Sequence, residues 1–145
     1  MKPERDQNPR RSRRENWWRF GEDHPRVRRA IDGLPRYLVT VLTAKHRLFQ
    51  WVDRTVLPDQ TLVVVGLADA FALGVLSCKL HSVWALACGS RLVVGNDSRY
   101  NKSRCFETFP FPSDDTGLTP ALRERIAALT PRIDAHRQRH RKQTP

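Results

Sequence analysis

Cysteine is scarce and unpatterned. Cys78, Cys88 and Cys105 form no C-x-x-C pair and show no histidine spacing typical of zinc. An odd count without a framework argues for reduced thiols in a cytosol, not for a disulfide scaffold. Long hydrophobic runs are missing too, since none approaches the roughly 18–20 residues that a bilayer span requires. The N-terminus is rich in arginine but has no apolar stretch behind it, so no secretory signal is read there. The chain shows no internal repeat. Acidic residues are outnumbered, with 15 Asp and Glu against 26 Lys and Arg and a formal net charge of +11. These features predict a soluble, cytoplasmic protein with no membrane partner. At 145 residues, a single domain of this size buries about 70% of its unfolded surface.

The positive charge is uneven. Residues 1–29 carry 10 Lys and Arg against 5 acids, and residues 30–112 carry 9 against 6. Residues 113–117 add two Asp, and residues 118–145 carry 7 Lys and Arg against 2 acids. The middle is mildly basic and both ends strongly so, a pattern suited to nucleic acid. Residues 1–16 read as a disordered basic tail, residues 17–112 as the folded domain, residues 113–117 as a linker and residues 118–145 as a basic helical tail.

Within the domain, Asp23 can cap a short helix that carries Pro25 in its first turn and ends at Gly33. Tyr37–Leu42, Arg47–Val52 and Thr61–Gly66 read as strands. Ala70–Leu76 is a short apolar run with Gly74 inside it, which fits an inner strand with a close backbone approach. From Leu76 the period changes, placing Leu76, Leu80, Val83, Trp84 and Ala87 on one helical face up to Gly89. Arg91–Val94 is a candidate fifth strand. The prediction is an α+β fold: a small antiparallel or mixed sheet of four to five strands with a central amphipathic helix. Thr119 caps a C-terminal helix that starts at Pro120, and Pro131 kinks or restarts it.

Three motifs carry a resemblance: KHRLFQW at 45–51, GVLSCKLHSVWAL at 74–86 and, above all, GNDSRYNKSRCFETFPFP at 95–112. With them, residues 17–112 resemble the target-recognition region of MmeI-like DNA methyltransferases, the single-chain type II restriction-modification enzymes. The resemblance implies a non-catalytic module that reads double-stranded DNA. Its implied partner is an adenine-N6 methyltransferase domain, which a separate gene could encode. S-adenosylmethionine would belong to that domain, and no cofactor is expected in this chain. A Gly-rich loop for S-adenosylmethionine and an Asn/Asp-Pro-Pro-Tyr/Phe motif are both absent from this sequence, so the chain alone is expected to catalyse nothing. No nuclease pattern or metal site is read.

Sequence readers place Lys and Arg on phosphates and polar side chains on base edges. The segment 96–104 holds the needed chemistries, and from it Asn96, Asp97, Arg99, Tyr100, Lys102 and Arg104 are candidate DNA contacts. Asn96-Asp97 also fits a plain structural turn. Lys45, His46 and Arg47, in a connection between strands, suit phosphates, and Arg36 is placed with them. Ser77 and Lys79, on the polar side of the central helix, complete the set. Two alternatives stay open on residues alone: a small basic RNA-binding or ribosome-associated protein, and a decayed gene fragment.

Overall fold

The computed structural model describes residues 4, 6–17, 25–91 and 97–141. Among these the order is α1 (Arg11–Glu15), α2 (Pro25–Ile31), β1 (Arg36–Val41), β2 (Thr43–Ala44), β3 (Gln50–Asp53) and β4 (Leu62–Val65). There follow α3 (Ala70–Ser77), α4 (Lys79–Cys88), β5 (Ser90–Arg91), β6 (Ser98–Arg99) and α5 (Pro120–Arg141). The α+β class is as expected. The expected cap at Asp23, the strand residues Val93 and Val94, and the candidate contact Asn96 lie outside the described residues.

β1 lies at the centre, with Tyr37, Leu38, Val39 and Thr40 all buried because both faces are covered. Leu38 packs with Phe49, Val65, Leu73 and Leu76 on one face, while Tyr37 and Val39 pack with Ile31 of α2 on the other. β3 and β4 flank β1 antiparallel, with Arg36 opposite Asp53 and Val41 opposite Leu62. At Leu42 the strand changes partners. Its N–H donates to the Thr61 carbonyl at 2.7 Å, and its own carbonyl accepts from the Tyr100 N–H at 2.8 Å. β2 then opens a second antiparallel sheet in the order β2-β6-β5, with Arg99 opposite both Thr43 and Ser90. The single sheet of four to five strands is thus two three-stranded sheets joined by one strand path.

The largest correction concerns residues 70–76, which form helix α3 and not a strand. Asp69 caps it, its carboxylate accepting from the Ala72 N–H at 2.9 Å. A short apolar run fits a buried helix as well as a buried strand, and periodicity does not separate them. The deciding signal was the capping Asp, which satisfies an otherwise orphaned helical N–H. Gly74 does mark a close approach, but between helices. A Cβ there would stand 2.7 Å from both Ile126 Cγ2 and Thr130 Oγ1 of α5. Thr130 is fully buried at this crossing, its hydroxyl donating to the Ala70 carbonyl at 2.8 Å.

α4 is a second, separate helix, bent 61° from α3. Cys78 makes the corner, its sulfur accepting from the His81 N–H at 3.4 Å. The restart rotates the expected face. His81 and Ala85 are buried and Cys88 half-buried, whereas Leu80 is 70% exposed and Val83 52% exposed. No single helix among the described residues is long and apolar enough to cross a membrane.

Regular elements also occur among the described residues toward both ends. Arg11 and Glu15 pair at 2.6 Å within α1. The acidic linker forms a short 3-10 turn at Asp114–Thr116, in which the Ser113 N–H donates to Thr116 Oγ1 at 2.8 Å. α5 begins at Pro120, with the Leu122 N–H on Thr119 Oγ1 at 3.3 Å, and continues past Pro131 without a restart. Near its far end Arg137 donates to the Phe49 carbonyl at 2.6 Å, so α5 is tied to the core over its length.

Candidate nucleic-acid interface

Along Ser98–Asn101 burial alternates: Ser98 and Tyr100 point in, Arg99 and Asn101 point out. An extended chain with one face on a core behaves this way, because successive side chains take opposite sides. Asn101 then turns the chain, its side-chain oxygen accepting from the Ser103 N–H at 3.1 Å and the Ser103 hydroxyl at 2.8 Å. One turn of π-helix follows at Lys102–Phe106, held by the Glu107 N–H on the Lys102 carbonyl at 2.9 Å. Cys105 is buried inside it with its thiol on the Ala85 carbonyl, which leaves Lys102, Ser103 and Arg104 exposed. A braced loop therefore presents Arg99, Lys102 and Arg104 to solvent. Arg99, Asn101 and Lys102 line a groove of about 570 Å³ together with Leu42, Leu62 and Ser90.

Beneath that face lies a buried polar cluster. Tyr100 is fully enclosed, its hydroxyl 3.0 Å from His81 Nε2, and its ring meets Phe49 edge-on with centroids 5.5 Å apart. The Phe109 ring caps His81 at 4.5 Å. Burial pushes the His81 pKa down to about 4, helped by the nearby Arg47 charge, so the imidazole is neutral near pH 7. Burial, reinforced by the Cys105 side chain, raises the Tyr100 hydroxyl well above its ordinary value.

The remaining candidates divide. Lys45 and His46 are exposed in the turn after β2, whose Ala44 pairs with Ser98, so they lie beside Asp97 at one end of the second sheet. Arg47, expected on phosphate, turns inward. Its guanidinium donates to the Ser98 carbonyl at 2.9 Å, to Thr40 Oγ1 at 3.3 Å and to the Val41 carbonyl. Tyr100, expected as a contact, is shut off from solvent by the aromatic cluster. Arg36 is also engaged, stacked 3.6 Å over Trp51 and bonded to the Ala68 carbonyl. Seven residue steps of extended chain lead from it to Thr43, about 23 Å at roughly 3.3 Å per residue, so it does not join the others. Ser77 ends α3 with its hydroxyl enclosed, and Lys79 begins α4 exposed to solvent. Asn96 lies outside the described residues. Sequence reasoning missed His81 as the centre of the cluster; its spacing to Ala85 and Cys88 was the available sign.

Among the described residues, no three His, Cys, Asp or Glu side chains gather as metal ligands.

A family model described as "MmeI, target recognition domain" matches residues 9–113. "DNA methyltransferase A" of Bacillus subtilis (strain 168) is 25% identical over 116 residues, which is 77% of this chain and 12% of that protein. The chain therefore spans a small part of its relative. No solved structure matches.

Proposed function

The chain belongs to the MmeI target recognition domain family, and from that premise we propose that it is the sequence-reading module of a DNA methyltransferase. The observation that carries the reading is the family match over a segment whose outward side chains are Arg99, Lys102 and Arg104. Cations presented by β6 and the turn after it suit phosphates and guanine edges, and Lys45 and His46 stand beside them. The module itself transfers no methyl group. Its target is duplex DNA, and a methyltransferase domain, in the same or a separate polypeptide, does the chemistry. On the resemblance to MmeI-like enzymes, that domain uses S-adenosylmethionine, methylates adenine N6 and serves a restriction-modification system in the cytoplasm.

RNA binding draws less support. Sheet-based RNA readers stack bases on exposed aromatics, whereas Phe49, Tyr100 and Phe109 are all buried. A salt series of binding titrations, with duplex DNA competed by single-stranded RNA, tests the reading. Duplex affinity is expected to fall with a log–log slope of about −0.9 per phosphate contact. A flat dependence, or displacement of duplex by RNA at equal concentration, would overturn it.

A further inference from the structure

We propose that Arg47 is a positioning residue that sets the sequence specificity of the Arg99–Arg104 edge without touching DNA. This rests on the reading of that edge as a duplex-binding surface. Arg47 lies in the turn between β2 and β3, where a cation in an exposed connection would ordinarily face solvent. Here it crosses beneath the second sheet. One Nη atom reaches Thr40 Oγ1 and the Val41 carbonyl at the end of β1, and the other reaches the Ser98 carbonyl, 51 residues away, at the start of β6. The guanidinium carbon also stands 5.1 Å from the centre of the Tyr100 ring. A single planar group thus ties the first sheet to both residues that flank Arg99 on its buried side.

The chemistry favours arginine specifically. The fork offers several N–H donors in fixed directions while its carbon stands over the Tyr100 ring; a lysine ammonium, a point charge, does not reproduce that fork. Burial lowers the Arg47 pKa from its ordinary value. Both Nη atoms are engaged by carbonyls and a hydroxyl inside the protein, which turns the fork inward and not toward a phosphate. Base-edge contacts depend on sub-ångström placement, whereas phosphate attraction acts as point charge at a distance. Loss of Arg47 should therefore impair discrimination between sequences more than overall grip.

The test uses the full chain as wild type, Arg47→Lys and Arg47→Gln. Each is selected on a random duplex pool, then titrated across a salt series against the enriched duplex and a scrambled one. Positioning predicts that both variants keep scrambled-duplex affinity within about threefold and keep the salt slope. The ratio of enriched to scrambled affinity should drop at least about tenfold in both. A direct phosphate contact predicts the opposite: Arg47→Gln weakens binding to both duplexes in parallel and makes the slope shallower by about 0.9, and Arg47→Lys restores both. That pattern, or variants indistinguishable from wild type, overturns the proposal. If the wild type enriches no sequence, the DNA-reading function fails first and the proposal with it. Should the variants not fold, the wild-type guanidinium can be followed by arginine side-chain NMR. Exchange-protected Arg47 protons that do not shift on adding duplex support positioning, while protons that shift and become protected only with duplex overturn it.

Discussion

Four consecutive residues of β1 are buried, whereas along β6 and its continuation burial alternates, with Arg99 and Asn101 outside and Ser98 and Tyr100 inside. The two regions are joined through β2, which continues the strand path of β1 past Leu42 and pairs with β6. The difference lies in what covers them: β1 is roofed on both faces, by α2 and by α3, while β6 has a core on one face only. A strand closed on both sides can only support. One closed on a single side can hold polar side chains in fixed places against a solid base, as a surface for recognition must. The substitutions that follow separate support from recognition, in order of expected effect.

The inward side of the second sheet should dominate stability. Tyr100→Ala removes a fully enclosed ring from between Phe49 and His81, and about 3–5 kcal/mol should disappear from urea unfolding. Tyr100→Phe keeps the packing but leaves His81 Nε2 without its partner, at a cost of about 1–3 kcal/mol. A change below about 1 kcal/mol for the alanine would mean the ring does not support the sheet.

Acid should act through the same cluster. The His81 pKa is pushed down to about 4 in the folded chain, against 6.5 when unfolded. Between those values the unfolded chain holds the extra proton. The stability is therefore fully present above pH 6.5 and declines as pH falls toward 4. The decline amounts to about 3 kcal/mol if the shift is complete. Urea midpoints measured across that interval should fall for the wild type and fall less for His81→Gln. Parallel curves would show that His81 is not the titrating group.

The outward side should behave in the opposite way. Arg99→Gln with Lys102→Gln removes two exposed cations, so unfolding should change by less than about 0.5 kcal/mol. The DNA salt slope should become shallower by up to about 0.9 for each cation that pairs with a phosphate. The smallest effect on binding is expected at Arg36→Gln. That change removes the stack on Trp51 and the bond to Ala68, costing about 0.5–1 kcal/mol of stability. Duplex affinity should stay unchanged; a drop matching that of the Arg99 and Lys102 pair would place Arg36 on the binding face after all.

Local signals made part of this legible and long-range packing hid the rest. The β-branched run at 37–42 and the Thr119-Pro120 start of α5 followed from propensity and capping, which act within a few residues. The strand assigned to 70–76 failed because apolar content records burial but not the shape of the backbone that is buried. A helical period that runs through Cys78 does not mark the buried face of α4, because the helix axis turns 61° there. In the 96–104 segment composition suggested what kind of surface it was, yet gave Tyr100 and Arg99 similar weight. Only the core beneath them separates an anchoring residue from a presented one. Arg47 is the same case, a cation whose partners lie 6, 7 and 51 residues away.

The most direct test removes three charges from either of two places. One variant carries Arg99→Gln, Lys102→Gln and Arg104→Gln; its control carries Arg125→Gln, Arg132→Gln and Arg139→Gln on the exposed side of α5, with the same change in net charge. Salt-dependent duplex titrations should show the slope of the first variant shallower by about 2–3 log–log units and that of the control by less than about one. Equal reductions in both would mean that DNA is held by diffuse positive charge, and that the second sheet has no special part in reading it.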